Sequence, residues 1–166
     1  MASQGERQEL IAKIRALPTE VAKLVDGLSP AQLTARPLAG EWSVAQNVHH
    51  LVDSHLNSYV RCKLIMTEEH PTLKPYDQDR WAELPDASQA DIADSLAMLR
   101  HLHARWVVFW ERLAEGDWSR TALHPDSGVV SLDDQLRLYA EHGEGHLDQM
   151  TRTLAAGGRS CEGVRA

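Results

Sequence analysis

Histidine stands out in this chain, with nine in 166 residues. Two of them, His142 and His146, lie in the stretch YAEHGEGHLDQM. On a helix, a spacing of four places two side chains about 40° apart on the wheel and one turn along the axis. Two imidazoles so placed can reach one metal ion, as in the helical zinc motif of metalloproteases. That motif needs a glutamate directly after its first histidine. Gly143 occupies the position here, so a metalloprotease is not supported. The pair alone reads more readily as two surface side chains, and a site needs a third ligand. The stretch QNVHHLVDSH offers His49, His50 and His55. The apolar stripe Val44, Val48, Leu51, Val52, Tyr59 centres near His55, which suits a core imidazole, while His50 lies nearly opposite it. Periodicity does not choose among the three. His101, His103 and His124 read as structural or exposed. Gly143 and Gly145 each cost about 1 kcal/mol relative to alanine inside a helix. Their presence predicts that something packs close to the backbone beside the histidines.

The elements that must position these residues are helical. Leu10, Ile14, Leu17, Val21, Leu24 and Leu28 form one apolar stripe over residues 7–27, interrupted by Pro18, which predicts two pieces or a kink. LSPAQLTARPLAGEW reads as a connector with one short helical turn. A second helix starts at Ser43, with Gln46 completing a capping box, and runs to about Met66. TEEHPTLKPYDQDRWAELPDAS carries three prolines and cannot be one helix; connections of this length are often functional. A third helix is expected from Ser88, with Asp91 as its box partner, to about Ala114. EGDWSRTALHPDSGVV reads as a loop. The fourth helix starts at Ser131, with Asp134 as partner, and runs to Ala156, leaving a tail over about 157–166. No segment shows sustained strand alternation. The expected fold is an all-α four-helix bundle, one domain over 1–166. His50 is seven residues past Ser43 and His142 eleven past Ser131, a difference of about 6 Å along the axes. If the two helices run the same way, their histidines lie at matching depth.

The formal net charge of -7, with no Lys/Arg run, argues against nucleic acid and against an anionic membrane surface. No apolar stretch approaches the length of a membrane span, and MASQGERQEL lacks a signal-peptide core. A cytoplasmic location is expected, with a small-molecule substrate and a homodimer as candidate partners. Two cysteines without a CxxC pair exclude a thiolate zinc cluster; Cys62 reads as a small core residue.

The stretch EWSVAQNVHHLVDSHLNSYVRCKLIMTEEHPTLKPYDQDRWAEL, with LHARWVVFWERL and ALHPDSGVVSLDDQLRLYAEHGEGHLDQM, resembles the DinB/YfiT family, in its YfiT-like branch. The resemblance spans roughly Leu28 to Leu154. It implies an up-down-down-up four-helix bundle with zinc or nickel on three histidines. By position these are the second histidine of the His-His pair, His50, together with His142 and His146. The residues between the last two, Gly143, Glu144 and Gly145, depart from relatives that are richer in histidine there. The family implies a metal-dependent hydrolase, or a thiol S-transferase using bacillithiol, mycothiol or glutathione, with the YfiT-like branch nearest the bacillithiol group.

Three neutral imidazoles leave the full +2 charge on a bound Zn2+ or Ni2+. An open position then activates either water, whose pKa falls to about 7, or a low-molecular-weight thiol, which loses its proton. Hydrolysis usually wants a carboxylate beside the activated water. Glu144 lies about 200° from each ligand on the wheel and points away. Thiol transfer therefore ranks ahead, hydrolysis second, and a non-catalytic metal- or ligand-binding protein third. Asp53, three residues from His50, and Gln149, three from His146, are candidates to reach the site or to orient an imidazole. Lys74 and Tyr76 are candidates to hold a thiol's carboxylate if the long connector folds over the bundle end. Arg61 reads as an ion-pair partner.

Overall fold

The computed structural model describes residues 1–158, so the expected tail lies outside the described residues from 159 onward. Four long helices carry the chain: α1 (Gln4–Val25), α3 (Val44–Thr67), α5 (Ala93–Glu111) and α6 (Leu132–Ala156). Between them lie the short helices α2 (Pro30–Thr34) and α4 (Gln78–Ala82), a 3-10 turn (Glu115–Ser119) and a hairpin of β1 (Thr121–His124) and β2 (Gly128–Ser131). No helix of the described residues is long and apolar enough to cross a membrane.

The starts of α3 and α6 follow from local chemistry. Ser43 and Gln46, like Ser131 and Asp134, cap each other reciprocally and satisfy free backbone N–H groups. The third long helix corrects the expected start. The Ser88–Asp91 box does not form, because Ala87 and Ser88 donate their backbone N–H groups to the Leu84 carbonyl and close a turn. The helix begins five residues later, where the Asp91 carboxylate accepts from Ala93 N. The hairpin is a second correction, since no strand was expected. Its strands are four residues each, too short to display alternation, and Gly128 supplies the left-handed φ of 78° that turns the chain.

Pro18 neither splits nor ends α1. It removes the N–H that would bond to the Ile14 carbonyl. That carbonyl instead accepts from His103 Nδ1 at 2.6 Å.

Side-chain pairings fix the directions of the helices. From Asn47–His146 through His50–His142 to Ser58–Gln135, numbers rise along α3 and fall along α6, so these two run antiparallel. His49–Ser95 and His55–His103 make α3 and α5 parallel. Arg7–Asp133 and Lys13–Glu144 make α1 and α6 parallel. The order is up-down-down-up. It overturns the depth argument from parallel helices: the histidines meet because α3 and α6 cross in opposite senses. The parallel pair α3 and α5 also forces residues 68–92 to travel back along the bundle as a strap.

The core is two apolar clusters. One holds Leu10, Ile14, Ile65, Trp106, Trp110, Leu132 and Leu136. The other holds Leu17, Val21, Val48, Leu51, Leu99, Met150 and Leu154. His55 on α3, His103 on α5 and His142 and His146 on α6 fall in sequence where one cluster gives way to the other, while His50 lies among residues of the second cluster. Gly143 meets the expectation of close packing, since a Cβ there would stand 2.6 Å from Leu17 Cδ2, whereas Gly145 faces open space.

Candidate metal centre

His50, on α3, and His142 and His146, on α6, converge with ligand nitrogens all within 4.8 Å of one another. His142 Nε2 lies 3.3 Å from His50 Nε2 and 3.2 Å from His146 Nε2. An ion bound tetrahedrally at 2.0–2.1 Å holds its nitrogens roughly 3.3 Å apart. His50 was expected on the side away from the apolar stripe, yet it is only 3% exposed. The reason is that α3 is covered by α5 on one side and by α6 on another, so a single stripe does not describe its buried surface.

Burial pushes all three imidazoles toward the neutral form that a metal requires. His50 and His142 are lowered to about 3, by burial first and then by the neighbouring imidazoles. His146 falls to about 4 through burial, opposed by the Gln149 amide beside it. His146 Nδ1 donates to Asn47 Oδ1 at 2.7 Å, and Asn47 Nδ2 in turn donates to the Ser43 carbonyl at 2.9 Å. With the amide held that way round, His146 carries its proton on Nδ1 and leaves Nε2 free to ligate. Trp42 packs over the centre, parallel to His146 and 4.6 Å between ring centroids from His50.

The other histidines separate. His49 turns to the far side of α3, toward Ser95 Oγ and the Gln89 carbonyl. His55, fully buried, stands between His103 and His142. His101 is exposed beside Arg100, and His124 lies in β1. His103 is buried, at 1% exposure, between the Ile14 carbonyl and His55.

The remaining candidates have other neighbours. Asp53 is half-buried; burial raises its carboxyl pKa, Asp86 adds to the rise and His49 opposes it, so its charged neighbours are those of the strap side. The Lys74 side chain is exposed and its carbonyl accepts from Arg61 Nη2 at 2.5 Å. Tyr76 packs against Trp81, and burial raises its phenol pKa, opposed by the hydroxyl of Ser54 on α3. Glu144 pairs with Lys13 at 2.9 Å, away from the ligands. Burial pushes the Cys62 thiol up to about 12, which leaves it a core residue rather than a nucleophile.

A cleft of about 220 Å³ opens onto His146 between Gly40, Trp42, Gln78, Asp79 and Gln149. Gln78 and Asp79 come from α4 on the strap. Gln46 Nε2 secures the end of α4 by donating to the Ala82 carbonyl at 2.9 Å. Sequence reasoning missed Asn47, Trp42, Gln78 and Asp79. Asn47 carried a usable signal, since it lies three residues before His50 and so on the same side of α3.

Bundle order and histidine cluster together define the class: the chain belongs to the DinB superfamily, which matches residues 13–150. A protein of Bacillus mycoides, provisionally named a metal-dependent hydrolase, is 46% identical over 85% of this chain and 81% of its own length. A similarly named protein of Bacillus cereus is 45% identical with the same coverage. Among solved structures, YfiT of Bacillus subtilis, described as a probable metal-dependent hydrolase with an unusual four-helix bundle topology, superposes with a TM-score of 0.92 at 36% identity, covering 96% of this chain and 92% of that one. The mycothiol-dependent maleylpyruvate isomerase shares the fold, with a TM-score of 0.66 at 18% identity over 95% of this chain and 72% of that one.

Proposed function

We propose that this protein is a metal-dependent S-transferase, in which His50, His142 and His146 hold one Zn2+ or Ni2+ and a small thiol is the nucleophile. The observation that carries the reading is the donor set. Three imidazoles converge with their ligand nitrogens within 4.8 Å of one another, and His142 Nε2 stands from each of the other two at the spacing a tetrahedral ion imposes. The hydrogen-bonding neighbours of His142 and His146 besides the ligands themselves are neutral: Asn47, Gln149 and His55. With no carboxylate in that circle, the full charge of a bound divalent ion is available to acidify a thiol or a water. The chain's own residues do the rest. Asn47 orients His146, Trp42 shields one face of the centre from water, and Gln78, Gln149 and Asp79 line the approach with polar groups for the substrate.

Hydrolysis of an ester or amide is the second reading. It is favoured by Asp79, whose carboxylate lines the cleft beside His146 and offers a base for an attacking water. It also agrees with the names carried by the relatives.

Metal analysis of protein purified without chelators is expected to give about one ion per chain. Cobalt-substituted protein is then titrated with bacillithiol, mycothiol, glutathione and cysteine. An intense near-ultraviolet charge-transfer band with one of them supports thiol activation. Absence of the band with all four, together with ester or amide cleavage rising near pH 7, replaces the transferase by the hydrolase.

A further inference from the structure

Behind the candidate ligands lies a second line of imidazoles that touches no solvent. His55 is 0% and His103 1% exposed, enclosed by Trp106, Tyr139 and the apolar side chains of the bundle. His103 Nδ1 lies 2.6 Å from the Ile14 carbonyl, His103 Nε2 2.8 Å from His55 Nδ1, and His55 Nε2 3.2 Å from His142 Nδ1. The line therefore runs unbroken from the backbone of α1 to the candidate metal centre.

Its direction follows from elementary hydrogen-bond rules. The Ile14 carbonyl, deprived of its helical partner by Pro18, can only accept. His103 must then carry its proton on Nδ1. A neutral imidazole has one N–H, so His103 Nε2 accepts, and the donor facing it is His55 Nδ1–H. His55 Nε2 in turn accepts, from His142 Nδ1–H. The opposite direction would require His103 to donate from both nitrogens, placing an imidazolium in an apolar interior where burial already lowers its pKa to about 4. The end of the line is a bare lone pair on His142 Nε2. It faces the bare Nε2 of His146, set independently by Asn47, across 3.2 Å. Two lone pairs at that separation repel unless a cation lies between them.

We propose that His55 and His103 are positioning residues of the metal centre: anchored on the carbonyl that Pro18 frees, they lock His142 in the tautomer that presents Nε2 to the ion. This rests on the three-histidine metal reading above and goes beyond it by assigning a function to two core histidines and a mid-helix proline. The ligand is preorganised, so the ion is not bound at the expense of reversing the tautomer.

Two measurements test it. In metal-free wild type with 15N-labelled histidine, long-range 1H–15N correlation spectra at neutral pH distinguish Nδ1–H from Nε2–H imidazoles. The Nδ1–H form is expected for His103, His55 and His142; an Nε2–H form at His142 overturns the proposal without any variant being made. Zn2+ affinity is then measured by competition with a chromophoric chelator. His55→Phe and His103→Leu are expected to weaken binding about 10–100-fold while keeping the helical circular dichroism. His103→Gln, whose amide oxygen can accept from His55, is expected to recover most of the affinity and the His142 tautomer. Folded variants that bind Zn2+ as tightly as wild type, or a His103→Gln protein no better than His103→Leu, overturn it. Wild type that binds no Zn2+ defeats the metal reading itself, a separate outcome.

Discussion

His146 Nδ1 donates to Asn47 Oδ1 across 2.7 Å, joining α6 to α3 at the level of the candidate metal centre. Asn47 is fully buried and its amide nitrogen is taken by the Ser43 carbonyl, so the oxygen has no other orientation to adopt. Asn47→Ala is expected to lower Zn2+ affinity about 10–100-fold, the usual effect of removing a ligand-orienting partner. Chelator competition checks it. Unchanged affinity in a folded Asn47→Ala protein would show that His146 finds its orientation without the amide.

His50→Ala, His142→Ala and His146→Ala are each expected to remove most of the bound metal, measured by elemental analysis after dialysis. His49→Ala and His101→Ala are expected to retain it, because His49 faces Ser95 and His101 is exposed. Loss of metal in His49→Ala with retention in His50→Ala would reverse the assignment of the His-His pair.

Acid is expected to destabilise the metal-free protein. Burial holds His50 and His142 near 3, His103 and His146 near 4, and His55 well below its ordinary 6.5. The unfolded chain takes up protons around pH 6.5, whereas the folded chain resists until much lower pH. The stability contributed by these groups is therefore complete above about 6.5 and is lost as pH falls toward 3–4. Each extra proton bound by the unfolded chain steepens the fall by about 1.4 kcal/mol per pH unit. Urea denaturation at pH 7.5 and 5.5 measures it, and equal stability at the two values would contradict the burial of these imidazoles.

Two glycines on one helix are expected to respond oppositely. Gly145→Ala meets open space and should gain up to about 1 kcal/mol of helix propensity. Gly143→Ala drives a methyl into the buried Leu17, with three of its carbons within 3.4 Å, and should lose about 1–3 kcal/mol to overpacking. Thermal denaturation of the two single variants separates them.

Arg7 and Asp133 form a nearly solvent-free ion pair at 2.8 Å, with Glu115 on the same guanidinium and Trp118 beneath it. Asp133→Ala leaves the arginine charge buried without that partner and is expected to cost about 3–5 kcal/mol. A loss below 1 kcal/mol in chemical denaturation would mean that the guanidinium reaches water in the variant.

Much of this arrangement is legible in the chain. Capping pairs mark the starts of α3 and α6, the His142/His146 spacing declares a shared helix face, and Gly143 announces the close approach of Leu17. The choice of His50 over its neighbours is not legible from periodicity. It depends on α3 being enclosed by α5 and α6, which is a property of the tertiary arrangement. Pro18 reads locally as a break, because only the fold brings His103 to the carbonyl it frees. Asp79 is separated from the ligands by a long stretch of chain, and no local pattern links it to the cluster; Trp42 stands just outside the Ser43 cap, eight residues before His50, yet only the fold brings its ring over the histidines.

The strap between α3 and α5 exists because two parallel helices need a return path, yet it also supplies Gln78 and Asp79 to the cleft wall. The candidate ligands sit on long helices locked into the core, while two of the six residues lining the cleft, Gln78 and Asp79, hang on that connector. Under the proposed function, chemistry and selectivity therefore rest on different parts of the chain. Rewriting a few strap residues would redirect this scaffold to a new substrate with the reactive centre left intact, a natural division for diversification within a family and a practical entry point for library design.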